Sequence, residues 1–171
     1  NKLLLFRRKD IKMKRLPKYT PAEVRNDPYG FTYKEMSEVI GENEAKALYE
    51  ELYKQLPRKK NLSMLVKNIC KSSDTEKYVY ELKDNKYIET VFIKRRDGGT
   101  VCVSTQVGCP VGCIFCESGR NGFVRNLTSS EIVQQIILLR RKVNRIVFMG
   151  MGEPLFNYDN LIKAIHNLRD R

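Results

Sequence analysis

The stretch VCVSTQVGCPVGCIFC, residues 101–116, decides which fold and which chemistry this chain can have. It begins as a short apolar strand and runs into a loop that carries Cys109, Cys113 and Cys116, separated by three and two residues. Three thiolates this close together can hold a soft metal ion or an iron–sulfur cluster. A cluster of four irons would leave one iron free, so it could bind a small molecule as well as carry electrons.

Three other interpretations of these thiols stay open, with less support. Structural zinc sites usually pair cysteines in two knuckles or add a histidine, and His166, the one histidine, is about fifty residues away. A disulfide framework is disfavoured because five cysteines is an odd number and the amino terminus does not resemble a signal peptide. Buried core thiols rarely cluster in one loop that contains glycine and proline.

Composition narrows the class of protein. The chain has 171 residues, 42% of them hydrophobic, and a formal net charge of +12. This charge favours phosphate-rich partners, either nucleic acid or an anionic surface. No apolar run is long enough to span a bilayer. Free thiols without an export signal indicate a reducing, cytoplasmic location.

Residues 1–30 are predicted to be a basic arm. The first eighteen residues contain a single acid, Asp10, among many lysines and arginines. Such a segment is either a solvated tail or an arm that lies along RNA phosphates. Pro17, Pro21, Pro28 and Gly30 predict an irregular linker at its end.

Residues 31–73 are predicted to form a small helical accessory domain. Thr32 and Glu35 have the spacing of a capping box, and Gly41 ends that helix. A second helix follows and stops at Pro57. A short third helix is predicted over residues 62–69, with Cys70 as a core thiol. The apolar stripe of the second helix is Ala45, Leu48, Tyr49, Leu52, Tyr53 and Leu56.

Residues 74–171 are predicted to form strands joined by turns in the first part and strands that alternate with helices in the second part. Strands at 78–82, 88–93 and 101–104 form an antiparallel meander, with a hairpin turn at 97–99. After the cysteine loop, a helix capped by Thr128 or Ser129, a strand at 145–149 and a helix that starts at Asn157 or Asp159 follow. This order predicts an α/β fold with a parallel sheet, whose ligand loops lie together at the carboxyl ends of the strands.

The second such loop is Gly150-Met151-Gly152-Glu153-Pro154. Its glycines would let a ligand approach the backbone, and Glu153 could accept a hydrogen bond from an ammonium or a hydroxyl group. Taken alone, the run also fits a plain glycine-rich turn between strand and helix. The cysteine loop about forty residues earlier favours the ligand-binding interpretation.

The CxxxCxxC spacing with Phe115 before the last cysteine resembles the signature of the radical S-adenosylmethionine (SAM) enzymes. Four blocks narrow the resemblance to the adenine-C2 methyltransferases of 23S ribosomal RNA and transfer RNA, and they are similar also to the related adenine-C8 methyltransferases. The blocks are residues 87–91, 101–109, 122–128 and 149–155. The resemblance implies that residues 74–171 are the amino-terminal portion of a partial (β/α)6 TIM-like barrel.

The resemblance also implies roles for individual residues. Cys109, Cys113 and Cys116 would ligate a [4Fe–4S] cluster. Gly150, Gly152 and Glu153 would contact SAM. Glu89 would handle a proton of the substrate adenosine, although it could equally be an exposed strand carboxylate. Cys102 would release the product by forming a disulfide bond with the RNA-linked cysteine, although it could equally be a core thiol.

The implied reaction uses two SAM molecules. One methylates a cysteine near the carboxyl terminus, and the other yields a 5′-deoxyadenosyl radical that activates this methyl group for addition to adenine C2. The implied partners are 23S rRNA and also tRNA, with a reductant such as flavodoxin, and the implied state is a monomer.

The chain departs from this pattern because it stops at Arg171 and offers no methyl-carrying cysteine, which predicts a fragment that is inactive alone. Glu117 also stands where a small residue is expected. Two alternatives follow: a C8-specific or other radical SAM enzyme, and a truncated, non-catalytic, metal-bearing RNA-binding protein.

Overall fold

The fold of the chain is described by a computed structural model over residues 19–53 and 62–169. Within these ranges no helix is both long and apolar enough to cross a membrane. The basic segment 1–18, Leu56 and Pro57, for which predictions were made above, lie outside the described residues. The elements are α1 Pro21–Asn26, α2 Tyr33–Ile40, α3 Glu42–Tyr53, β1 Met64–Lys71, β2 Thr75–Leu82, β3 Tyr87–Arg95, β4 Gly98–Cys102, β5 Gln106–Gly108, α4 Glu117–Arg120, β6 Phe123–Asn126, α5 Ser129–Leu139, β7 Arg145–Val147 and α6 Tyr158–Arg169, with 3-10 turns at Pro28–Gly30 and Pro154–Asn157.

The helices begin where their capping residues predict. Thr32 and Glu35 form a reciprocal capping box at α2, and Gly41 closes that helix with a φ of 82°. Thr128 and Glu131 form the same box at α5, so Thr128 and not Ser129 is the cap. These local signals need no tertiary contact, because each box satisfies backbone N–H groups that a helix leaves free at its start.

The prediction of an irregular linker at Pro21 and Pro28 was wrong. Pro21 is the first residue of α1, a position where a helix tolerates proline because that N–H needs no partner. Thr20 caps this helix through a box with Glu23. Val24 and Tyr29 are fully buried, so the segment is part of the core.

The prediction of a third helix over residues 62–69 was also wrong. Residues 64–71 form β1, which pairs antiparallel with β2. Leu65, Val66 and Ile69 fit a helical stripe in sequence, but short apolar runs do not distinguish helix from strand. Pairing with β2 places Cys70 opposite Lys77 on an exposed strand, so Cys70 is an exposed thiol and not a core thiol.

The five-stranded sheet has the order β1-β2-β3-β4-β7. Its first four strands are antiparallel, which confirms the predicted meander, and β7 pairs parallel with β4. The chain between β4 and β7 contains α5, which packs on one face of the sheet, where the Tyr80 hydroxyl donates to the Gln135 carbonyl over 3.0 Å. Strand, helix and parallel strand therefore follow each other as the α/β prediction requires.

The opposite face of the sheet is called the open face here and carries Lys77, Glu89 and Cys102. Val91 pairs directly with Cys102, and Glu89 lies two residues before Val91, so both side chains project from this face. Glu89 is exposed and Cys102 is half-buried.

Candidate active site

The cysteine loop leaves the end of β5 and is held by its backbone. Gly108 has a φ of 73°, and a Cβ there would come within 1.9 Å of the Gly122 carbonyl oxygen, so only glycine fits this exit. The Cys109 N–H donates to that same carbonyl over 3.2 Å, and the Cys116 N–H donates to the Cys113 carbonyl over 3.0 Å. The loop is thus attached at its start and folded into a turn near its end.

The three thiols of this loop are free. Cys109 and Cys116 are half-buried, and Cys113 is exposed. Between them, Ile114 and Phe115 are 99% and 89% exposed, so the tip of the loop projects away from the core. The hydration of large apolar side chains is unfavourable, so their exposure here indicates a surface that contacts another molecule or another part of the protein.

The donor set fits an iron–sulfur cluster by its chemistry. Three unpaired thiols on one loop are the soft ligands that such clusters require. In the described ranges, no three His, Cys, Asp or Glu side chains already converge on one metal position.

The Gly150–Pro154 loop follows β7 and packs against the segment that leads to the cysteines. The Gly150 N–H donates to the Val103 carbonyl over 3.1 Å, and the Thr105 N–H donates to the Met151 carbonyl over 2.8 Å. The two loops that were expected to share one edge of the sheet are therefore connected within a few residues of Cys109.

The structure explains why glycine is needed at positions 150 and 152 by contacts within the protein, and not by the approach of a ligand. A Cβ at Gly152, whose φ is 99°, would lie 2.6 Å from Gln106 Cβ, and one at Gly150 would lie 2.8 Å from Ser104 N. The glycines therefore let the loop lie directly on residues 104–106. Whether a ligand also uses their backbone stays a prediction.

Glu153 has one defined structural role. Its N–H donates to Gln106 Oε1 over 2.9 Å, and its carboxylate accepts from the Leu155 N–H over 3.1 Å. This second bond caps the 3-10 turn Pro154–Asn157. The residue is held at a fixed place beside the loop, and its role toward a ligand stays a prediction.

Glu89 and Cys102 both face the open side of the sheet, and their roles toward a substrate stay predictions. The Glu89 carboxylate accepts from the Lys77 ammonium over 3.0 Å. Burial raises the pKa of the Cys102 thiol, and a hydrogen bond with the Met149 backbone opposes that rise only in part. The thiol is thus less ionised at neutral pH than an exposed cysteine would be.

Ser104 connects the strand of Glu89 with the glycine-rich loop and with α5. The sequence analysis did not identify it as a site residue. Its hydroxyl donates to the Glu89 carbonyl over 2.5 Å and accepts from the Met151 N–H over 2.9 Å. Its own N–H and carbonyl bond to the Gln135 side chain over 2.9 and 3.0 Å. One residue therefore joins the strand of Glu89, the glycine-rich loop and α5.

Two further buried amides support the same region. Gln106 donates from Nε2 to Asn126 Oδ1 over 2.8 Å, which joins β5 to β6. Asn157, expected as a helix start, donates from Nδ2 to the Thr105 and Leu127 carbonyls over 2.8 and 2.7 Å. The sequence did contain one signal for these buried polar residues, the run Ser104-Thr105-Gln106 directly after an apolar strand. Polar groups that are buried at such a place need hydrogen-bond partners.

Comparison with known proteins shows which proteins this chain is similar to. Residues 103–171 match the model of the Radical SAM superfamily. The chain is 48% identical to the probable dual-specificity RNA methyltransferase RlmN of Thermotoga petrophila, over 64% of this chain and 33% of that protein. It is 38% identical to the dual-specificity RNA methyltransferase RlmN of Sulfurimonas denitrificans, over 98% of this chain and 52% of that protein.

A solved structure agrees with these sequence matches. A radical SAM methyltransferase from Sphaerobacter thermophilus superposes with a TM-score of 0.74 at 30% identity, over 84% of this chain and 52% of that one. The predicted resemblance and the predicted fold class, a helical module followed by part of a TIM-like barrel, are both confirmed. The chain spans about half or less of the length of the relatives named here.

Proposed function

We propose that this chain, which carries part of a radical SAM domain related to the dual-specificity RNA methyltransferases, belongs to an enzyme that methylates an adenine ring carbon in RNA. The observation that carries the proposal is the connection of the three-thiol loop to the Gly150–Pro154 loop through residues 103–106. The radical SAM family implies a [4Fe–4S] cluster and SAM, and this is where both would have to meet.

In this proposal Cys109, Cys113 and Cys116 hold the cluster, and the Gly150–Glu153 segment binds SAM. The cluster and SAM together would supply a carbon radical that abstracts hydrogen from the cysteine-bound methyl group, and radical addition suits adenine C2 because this electron-poor carbon is a poor nucleophile. The chain contributes a rigid base for the site, because the N–H groups of Glu153 and Met151 are bonded to Gln106 and Ser104. These bonds set the position of the Gly150–Glu153 segment on residues 104–106, the segment that leads into the cysteine loop.

Glu89 and Cys102 would act on the substrate from the open face. The Glu89 carboxylate would accept the ring proton, and Lys77, 3.0 Å away, keeps that carboxylate directed along the sheet. The Cys102 sulfur would attack the sulfur that carries the adduct, so that the S–S bond forms as the bond from that sulfur to the methylene carbon breaks. The electron pair would go to this carbon, which takes up a proton and leaves with the RNA as the new methyl group. The half-burial of Cys102 raises the pKa of its thiol and so disfavours the reactive thiolate before that step.

The substrate proposal is position C2 of an adenosine in 23S rRNA and in tRNA, with a flavodoxin-type reductant, in a monomeric cytoplasmic enzyme. The support is the description of the relatives as dual-specificity RNA methyltransferases. A C8-specific enzyme is the alternative on the same site. The part of such a relative that this chain does not span would contain the methyl-carrying cysteine.

The decisive test is anaerobic reconstitution with iron and sulfide, followed by electron paramagnetic resonance of the reduced protein with and without SAM. We expect a [4Fe–4S]⁺ signal that changes when SAM is added. A protein that takes up zinc and no iron would refute the proposal. Cys113→Ala should lose most of the iron, while Cys70→Ala, a matched removal of an exposed thiol on β1, should keep it.

A further inference from the structure

The end of the sheet opposite the cysteine loop carries a concentration of positive charge, called the basic edge here. Two sequence segments form it, the β3–β4 hairpin and the connection from α5 to β7. All of its seven side chains are exposed. They are Lys94, Arg95, Arg96, Arg140, Arg141, Lys142 and Arg145.

The two segments are packed together, so the charges surround one end of the sheet. The Asn144 N–H donates to the Gly99 carbonyl over 2.9 Å, and its side-chain amide donates to the Asp97 carboxylate over 3.1 Å. A Cβ at Gly98 would lie 2.0 Å from Asn144 Oδ1, which shows how closely the hairpin turn lies on the other segment.

Few of these cations are neutralised. Arg141 makes a two-pronged ion pair with the Glu76 carboxylate, at 3.1 and 2.8 Å. For the other six, no carboxylate partner lies within ion-pair distance among residues 19–53 and 62–169. Exposed like charges at one edge repel each other, so a structural role does not account for their grouping.

The basic edge is far from the proposed site. β4 and β7 run parallel, and the edge lies at their amino ends, whereas the cysteine and glycine loops follow their carboxyl ends. Along β3, Arg95 of the basic edge lies six residues from Glu89, which at roughly 3.3 Å per residue is about 20 Å. A reductant bound near the cluster would not contact charges at this distance. A long polyanion, in contrast, can contact the proposed site and the basic edge at the same time.

We propose that the basic edge is a second RNA-binding surface, which contacts the phosphate backbone of the substrate away from the reacting adenine. This inference rests on the proposed function, because RNA is the partner assumed there. A strand that contacted both the site and the edge would have to be long enough to cover that distance. The edge therefore favours long RNA over nucleotides and short oligonucleotides.

The test measures the affinity of the 171-residue chain for a fluorescein-labelled single-stranded RNA of 24 nucleotides by anisotropy, over a range of salt concentrations. The edge variant is Lys142→Gln/Arg145→Gln. The matched control is Lys34→Gln/Lys46→Gln, which removes the same charge from exposed positions on α2 and α3. Circular dichroism verifies that each variant is folded.

We expect the edge variant to reduce the slope of log affinity against log salt by about 1.4, which is two phosphate contacts at about 0.7 each, and to weaken binding about 25-fold at 0.1 M salt. The control should change the slope much less. The charge-conserving variant Lys142→Arg/Arg145→Lys should bind like the parent chain.

Equal losses in the edge variant and the control would overturn the inference, because bulk charge would then explain binding. No loss in either would overturn it as well. The iron signal of the reconstituted edge variant separates the two proposals. If that signal persists while RNA affinity is unchanged, only the basic edge fails. If no cluster forms but the edge variant alone loses affinity, only the radical chemistry fails.

Discussion

The substitution Gln135→Leu tests whether one buried amide holds the base of the site together. Gln135, Ser104 and Thr90 are all essentially excluded from solvent. The Gln135 amide accepts from the Thr90 hydroxyl over 2.7 Å and from the Ser104 N–H over 2.9 Å, and donates to the Ser104 carbonyl over 3.0 Å. Leucine has a similar volume but cannot form a hydrogen bond with the Thr90 hydroxyl or with the Ser104 N–H and carbonyl groups.

The expected cost follows from the groups that lose their partner. A buried polar group without a hydrogen bond costs about 1–3 kcal/mol, and three groups are affected. The Thr90 hydroxyl can rotate, and leucine regains some apolar transfer energy. We therefore expect a loss of about 3–4 kcal/mol in the free energy of unfolding, a large part of the stability that a typical domain has.

Gln134→Leu on the same helix is the matched control. Gln134 is equally buried, but its amide bonds to Ser63 and to the Ser130 hydroxyl, and Ser63 is only half-buried. We expect it to cost about 1–2 kcal/mol, because water can replace some of its bonds. Urea denaturation followed by circular dichroism measures both. A cost for Gln135→Leu below about 1 kcal/mol, or no larger than that of the control, would refute the reasoning.

Three further predictions concern a glycine, a tyrosine and a thiol. Gly152→Ala should lower the melting temperature clearly more than Gly112→Ala, because both have positive φ but only Gly152 faces a neighbour, 2.6 Å away. Burial and a hydrogen bond to a carboxylate raise the pKa of Tyr78 to about 12. The protonated Tyr78 side chain therefore contributes fully to the free energy of unfolding below about pH 10, and this contribution is lost as pH rises toward 12. Tyr78→Phe should flatten that part of the curve of unfolding free energy against pH in denaturation experiments. The apo protein should react with iodoacetamide at Cys102 more slowly than at Cys70 at pH 8, as peptide mass spectrometry can measure, because burial raises the pKa of Cys102.

Each of these has a clear contrary result. Equal melting temperatures for the two glycine variants would show that the loop does not need its close contact with Gln106. An unchanged alkaline limb in Tyr78→Phe would assign the loss of stability above pH 10 to other groups. Equal labelling of the two thiols would mean that the open face around Cys102 is fully accessible to solvent.

Local chemistry in the sequence determined many of the elements. The capping pairs at Thr32 and Thr128 fixed two helix starts, because a capping box depends on residues three apart. The hairpin signal at residues 97–99 and the period-two pattern on either side predicted the meander. The spacing of the three cysteines and the run Gly150–Pro154 predicted the resemblance to radical SAM enzymes, and the family match over residues 103–171 confirms that resemblance.

The tertiary structure decided what depends on distant partners. Residues 64–71 became a strand because β2 pairs with them, although their own pattern suited a helix equally well. Ser104 became the link of the site through Gln135, thirty-one residues away, and the basic edge arose because the hairpin turn packs on Asn144. Hydrogen bonds and charge clusters of this kind join residues that only the folded chain brings together, so no local pattern in the sequence can encode them.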